Sequence, residues 1–186
     1  MSFRCGIAYP RCRWILPLLI IFAVIFDLIA IAARSGWVEN ENGKSHYGSM
    51  WDECRGKNDV WDCRSLMENT WAIAVAALMI IGFLLLILCF IFSIMSLCGE
   101  LRTGLFTAIG VLLLIVAIIQ IIALIIYPVN FNDLIYEGNY SYTWAYGFGW
   151  GATILCIGLS FIFFCLYRCE NEICGDEKFK YIYESK

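Results

Sequence analysis

Four long apolar runs divide the chain, separated by polar stretches of very unequal length. The first run extends from Trp14 to about Ala33, the second from Trp71 to about Cys98, the third from Gly104 to about Tyr127 and the fourth from Trp144 to about Tyr167. Each reaches the roughly 20 residues that a helix rising 1.5 Å per residue needs to cross a hydrocarbon core of about 30 Å. The pattern predicts four membrane spans in a single domain, residues 1–186. Between the spans lie a long polar loop, 34–70, a tight turn, 99–103, and a short loop, 128–143, and a polar tail runs from 168 to 186. Pro128 is expected to end the third helix, because proline supplies no backbone N–H to a helix interior.

Inside the long loop the helical pattern gives way to short segments of β character. Val38, Tyr47, Met50, Trp51, Val60 and Trp61 stand among charged residues, with turn-forming Asn42-Gly43 and Gly56 between them. This predicts a small antiparallel sheet. Trp37 and Trp51 are expected to anchor it at the membrane surface, and Trp71, Tyr127 and Trp144 to sit at interface depth.

Composition agrees with the spans. Hydrophobic residues make up 61% of the chain and charged residues only 16%, against about 25% charged in ordinary globular domains. The net charge of -3 gives no footing for a nucleic-acid partner; the lipid bilayer is the partner that composition implies. Charge then orients the spans. The N-terminal segment, the tight turn and the tail hold eight of the 13 Lys and Arg residues, and the two opposite loops hold five in a longer stretch. The excess of positive residues places both termini in the cytosol and both loops outside. Ala30-Ile31-Ala32 resembles a signal-peptide cleavage site, but the run before it is longer than the usual signal core and contains Asp27, so it reads as a retained span.

The ten cysteines sort by position. Cys54 and Cys63 lie in the long loop, where an oxidising environment favours one disulfide between them. Their spacing is not that of a CxxC redox pair, which argues against a four-span thiol oxidoreductase. Cys5, Cys12, Cys98, Cys165, Cys169 and Cys174 fall at or beyond the opposite ends of the spans and are candidates for S-palmitoylation. The only histidine, His46, is on the other side, so a zinc site with these thiols is not expected.

Three further features carry chemistry. Asp27 is the only acid inside a span, and a carboxyl at such depth needs a partner or a proton. Counting along the helices puts it and Gln120 at a similar depth, roughly 10 Å from the outer ends. A hydrogen bond between them is the expected glue; Arg34, seven residues on, is a second possible partner. Gly147, Gly151 and Gly158 share one face of the fourth span and are expected to let another helix of the bundle approach. Asn139-Tyr140-Ser141 in the short loop is an N-glycosylation acceptor. Nothing supports catalysis: there is no nucleophile and histidine that the membrane would bring together, no phosphate loop and no carboxylate pair within the spans. No cofactor or small-molecule substrate is expected.

Trp37, Gly48, Trp51, Cys54 and Cys63 together resemble the tryptophan, glycine-leucine-tryptophan, cysteine, cysteine signature of the claudin and peripheral myelin protein superfamily, with Ser49-Met50 where Gly-Leu is usual. Arg11 to Leu19, Ser65 to Glu68, Tyr127-Pro128-Val129 and Trp144 to Trp150 narrow the resemblance to a branch linked to desmosomes and the apoptotic response. The resemblance implies an all-α membrane fold, a left-handed bundle of four transmembrane helices with a small extracellular antiparallel sheet. It also implies a non-enzymatic plasma-membrane protein at cell–cell junctions, supporting desmosome assembly and epithelial integrity, with junctional membrane proteins or further copies of itself as partners. A claudin-like paracellular barrier or pore is the alternative reading.

Overall fold

The computed structural model describes residues 5–40, 46–57, 60–98, 103–134 and 140–184, and side chains within 15–39, 46–56, 60–96, 104–131 and 140–168. Four helices dominate it: α1 (Cys5–Ala32), α2 (Thr70–Cys98), α3 (Thr103–Leu134) and α4 (Trp144–Glu184). Each contains a segment long and apolar enough to span a membrane: Ile15–Ala32, Thr70–Ser96, Gly104–Phe131 and Trp144–Arg168. α1 and α3 lie diagonally, each packed against both α2 and α4. Outward positions such as Leu18, Phe22, Leu84, Ile118, Ile154 and Phe161 are exposed and apolar, as lipid-facing positions must be. Small residues, among them Ala23, Ala30, Ala72, Ala117 and Ala152, are buried between the helices, where they allow close approach without a hydrophobic driving force.

The interior divides into two apolar clusters. One gathers Ile20, Leu86, Ile109, Leu113, Leu159 and Phe163. The other gathers Trp37, Met50, Met79, Leu124, Tyr127 and Phe131, and reaches under the loops. At the level between them the chain places Asp27, Gln120, Thr153 and Gly82, one from each helix.

At one end of the bundle sits a five-stranded antiparallel sheet: β1 (Val38–Asn40), β2 (His46–Gly48), β3 (Asp52–Lys57), β4 (Val60–Ser65) and β5 (Tyr140–Tyr142), in the order β4-β3-β2-β1-β5. The long loop supplies four strands. The fifth comes from the short loop, and Val38, Glu39 and Asn40 pair with Tyr142, Ser141 and Tyr140.

Three helices run further than the apolar pattern alone indicates. α1 begins at Cys5, nine residues before the first apolar run. α4 continues through the polar tail to Glu184; its 41 residues extend about 60 Å, twice the hydrocarbon thickness. α3 does not stop at Pro128 but continues to Leu134. A proline at this position removes the hydrogen bond to the carbonyl four residues earlier, which is that of Leu124. The Tyr146 hydroxyl of α4 donates to that carbonyl at 2.8 Å, so a side chain replaces the missing backbone donor and the helix survives.

Candidate functional site

The sheet is seated on the bundle by its tryptophans. A helix leaves its last carbonyls without intrahelical donors. At the end of α1 the Trp37 indole N–H donates to the Ala30 carbonyl at 2.8 Å, and the Trp51 indole donates to the Ile31 carbonyl at 2.7 Å. Trp37 is fully buried and lies edge-on to Tyr127 and Tyr146. Both indoles are therefore cap donors to α1, and Trp37, fully enclosed by protein, is not the membrane-surface anchor expected of it. Tyr127, expected at interface depth, is also buried; its hydroxyl donates to the Ser49 carbonyl at 2.9 Å.

The turn between β2 and β3 explains the Ser49-Met50 variation. The Ser49 hydroxyl oxygen accepts from the backbone N–H groups of Trp51 and Asp52 at 3.0 and 2.9 Å, a local side-chain turn that serine makes and glycine cannot. Met50 fills the buried space behind it. Gly48 is needed for a different reason: a Cβ there would stand 2.9 Å from the Phe131 ring.

Gly36 makes the connection from α1 to β1. Its φ of 99° is left-handed and favours glycine, and a Cβ there would come within 2.5 Å of the Trp144 indole. The carbonyls of Gly36 and Trp37 accept from the N–H groups of Ala145 and Thr143 at 2.8 and 3.0 Å. The end of α1 and the start of α4 are thereby joined.

Cys54 and Cys63 are cross-strand neighbours on β3 and β4 and form a disulfide. The pair closes the hairpin whose outer strand, β4, is the sheet's edge and is exposed along all six residues. Trp61 packs on Tyr47 while remaining half exposed. The Arg64–Glu68 ion pair, at 2.9 Å, is solvent-exposed and adds little to stability.

Within the bundle the Gln120 amide donates to Asp27 Oδ2 at 2.7 Å, across the diagonal from α3 to α1. The Thr153 hydroxyl lies 3.2 Å from Gln120 Oε1 and 2.9 Å from the Gly149 carbonyl, linking α4 to the same contact. A Cβ on Gly82 of α2 would stand 3.3 Å from the Gln120 side chain, so all four helices meet here. Arg34 is exposed and Asp27 uses Gln120 instead.

The glycine expectation needs correction. Gly147 and Gly158 face outward with no atom near a built Cβ, whereas Gly151 meets Phe26 at 3.1 Å and Gly149 meets Leu124 at 3.0 Å. Of the expected stripe only Gly151 makes a close approach, to α1, and a second is made by Gly149, two residues from Gly147 and on the opposite side of the helix, to α3. The sequence offered no sign of Tyr146, Thr153 and Gly149 as packing residues, because each gains its role from a partner distant in the chain.

Cys165 is exposed near the end of the bundle opposite the sheet, and Cys89 and Cys156 are buried. The side chains of Cys5, Cys12, Cys98, Cys169 and Cys174, and the acceptor Asn139, lie outside the described residues, as does Asn42-Gly43. Among the described residues no group of three or more His, Cys, Asp and Glu side chains is placed to hold a metal.

Four spanning helices under a disulfide-closed sheet define a multi-pass membrane protein. Residues 14–163 match the PMP-22/EMP/MP20/Claudin family, and the chain belongs to it. It is similar to the "p53 apoptosis effector related to PMP-22" (PERP) of Danio rerio, with 64% identity over 183 residues that cover 98% of this chain and 99% of that protein. It is also similar to "Epithelial membrane protein 3" of Homo sapiens, at 28% identity over 156 residues covering 81% of this chain and 93% of that protein. The Bos taurus protein of the same name is 27% identical over the same length.

Proposed function

We propose that this protein is a non-enzymatic component of the plasma membrane at cell–cell junctions, supporting desmosome assembly and epithelial integrity, with a pro-apoptotic effector role. The observation that carries the reading is the sheet: a disulfide-closed surface with one fully exposed edge strand, tied to the bundle at Trp37 and Trp51. Such a surface serves recognition. The apoptotic part rests on the printed name of the zebrafish relative, and the desmosomal part on the resemblance of the membrane segments to that branch of the family.

The sheet faces outside and both termini lie in the cytosol. The lysine and arginine distribution and the Cys54–Cys63 bond, which needs an oxidising compartment, support this orientation. At least one of the cytosolic-edge cysteines is acylated and Asn139 is the candidate glycan acceptor; hydroxylamine-sensitive labelling and a glycosidase mobility shift test the two modifications.

Proximity labelling in confluent epithelial cells tests the function, with the enzyme fused in turn to the long loop and to the tail. Desmosomal cadherins enriched by the loop fusion support the reading, and tight-junction strand proteins in their place favour the paracellular alternative. For that alternative the charges available are fewer than the loop's acid content indicates, since Glu53 is buried against Arg55. Unchanged ion selectivity of an epithelial layer after reversal of Asp52, Asp59 and Asp62 would exclude a pore lined by them.

A further inference from the structure

A second polar cluster lies on the bundle-facing side of the sheet, where both loops meet. His46 on β2 and Arg55 on β3 are cross-strand partners, as are Gly48 and Glu53, so these four positions share one face. His46 and Glu53 are buried, at 7% and 5% exposure. Tyr140 of β5 reaches the same place: its hydroxyl is 3.3 Å from His46 Nδ1 and its ring stands edge-on to the imidazole. Phe131 of α3 backs the tyrosine.

The imidazole is the only side chain here that titrates near neutrality. When neutral, with its proton on Nε2, it offers Nδ1 as an acceptor for the Tyr140 hydroxyl. Nε2 is 3.0 Å from Glu53 Oε1, yet it makes no aligned hydrogen bond. That oxygen already accepts from the Arg55 Nη2 and Nε groups at 2.7 and 2.8 Å. The charged groups around the ring are thus one carboxylate and one guanidinium, both from β3, formally neutral together although Glu53 acts on the ring more strongly than Arg55. A proton on His46 leaves a formal net positive charge in a buried place, and with Nδ1 now a donor the Tyr140 hydroxyl has to turn from donating to the ring to accepting from it.

We propose that His46 is an acid-sensitive latch between the two loops: neutral, it holds β5 of the short loop to the β2–β3 hairpin of the long loop, and protonated, it releases β5. Burial, and secondarily Arg55, hold the imidazole below its ordinary value of 6.5 against the opposing pull of Glu53. The sign follows. A histidine depressed in the folded state contributes stability that is complete above 6.5 and is lost as the pH falls through the lower folded value. At neutral pH both loops therefore present one five-stranded surface, and in mild acid the β5 edge comes loose.

His46 is the only histidine in the chain, so labelling histidine alone reports on this site in the purified full-length protein in micelles. NMR of the labelled ring and hydrogen exchange over 140–142, corrected for the intrinsic pH dependence of exchange, are followed from pH 7.5 to about 5. The ring is expected to titrate below its ordinary value, and exchange in β5 to rise with that titration by about five- to tenfold, the loss of roughly one hydrogen bond. His46→Phe keeps an aromatic ring against Tyr140 and removes the titration; its β5 exchange should not respond to acid. Tyr140→Phe, a check if His46→Phe fails to fold, should show at neutral pH the faster exchange that the wild type reaches in acid. Titration at or above the ordinary value, exchange in β5 indifferent to its protonation, or an equal acid response in His46→Phe would overturn the latch. So would neutral-pH protection of β5 unaltered by Tyr140→Phe.

Discussion

The Tyr146 hydroxyl donates to the Leu124 carbonyl at 2.8 Å, four residues before a proline that leaves this carbonyl without its helical donor. Tyr146 and Pro128 are thus expected to be energetically coupled although they sit on different helices. Tyr146→Phe should cost about 1–2 kcal/mol in the unfolding of the micellar protein, the range for an orphaned buried acceptor and for membrane hydrogen bonds. In a Pro128→Ala background, where residue 128 regains its N–H, the same change should cost much less. Additive effects in this double-mutant cycle would show that the tyrosine contributes only packing.

The two indole caps should separate by burial. Trp51→Phe loses one hydrogen bond from a half-buried ring and is expected to cost about 1 kcal/mol. Trp37→Phe loses the bond and leaves a cavity in the fully buried cluster, for roughly 2–4 kcal/mol. Thermal unfolding in micelles gives the order, and equal costs would contradict the cap geometry.

Gly36→Ala places a methyl against the Trp144 ring and forces alanine into left-handed backbone. A loss of at least about 2 kcal/mol is expected, from the backbone conformation plus the clash. Trp144→Ala should recover the clash component alone, because the φ of 99° at Gly36 remains unfavourable for alanine. No recovery would mean that the indole yields at no cost.

Reducing the Cys54–Cys63 bond, or replacing both residues by serine, should destabilise the sheet by about 2–3 kcal/mol on a chain-entropy reckoning for so short a loop. Limited trypsin digestion is the measure: cleavage after Arg55 and Arg64 should accelerate while fragments of the bundle persist. Unaltered cleavage would show that β3 and β4 stay paired without the bond.

Gln120→Leu should be worse than Asp27→Leu combined with Gln120→Leu. The single change leaves a buried carboxyl without its amide donor, and the double change removes both polar groups. Denaturant unfolding of the three proteins decides it, and an equal loss in single and double variants would mean that the carboxyl finds another partner.

The spans were legible because the membrane demands uninterrupted apolar runs, and every one of the four is present as a helix. Strands at Val38, Tyr47 and Trp61 were legible from aromatic and β-branched positions around turn residues. Asp27 and Gln120, expected at equal depth, are brought within hydrogen-bonding distance. What was hidden depended on distant partners. Pro128 sits inside a helix whose missing donor is supplied by Tyr146 from α4, and Tyr140–Tyr142 is too short to declare itself a strand without β1 beside it. The glycine stripe held at Gly151 and failed at Gly147 and Gly158, because equal spacing does not say which side of α4 meets α1 and α3.

The pairing of Val38 with Tyr142 also imposes a schedule on biosynthesis. The partner of β1 is made more than a hundred residues later, which at ribosomal rates of about 5–20 residues per second is a wait of roughly 5–20 s. During that interval the second and third spans are still being made, while one side of β1 stays open and the Trp37 carbonyl is without Thr143. Only arrival of the short loop closes this edge, so a chain stalled or cut before Tyr140 presents an unfinished sheet to the folding machinery of the cell.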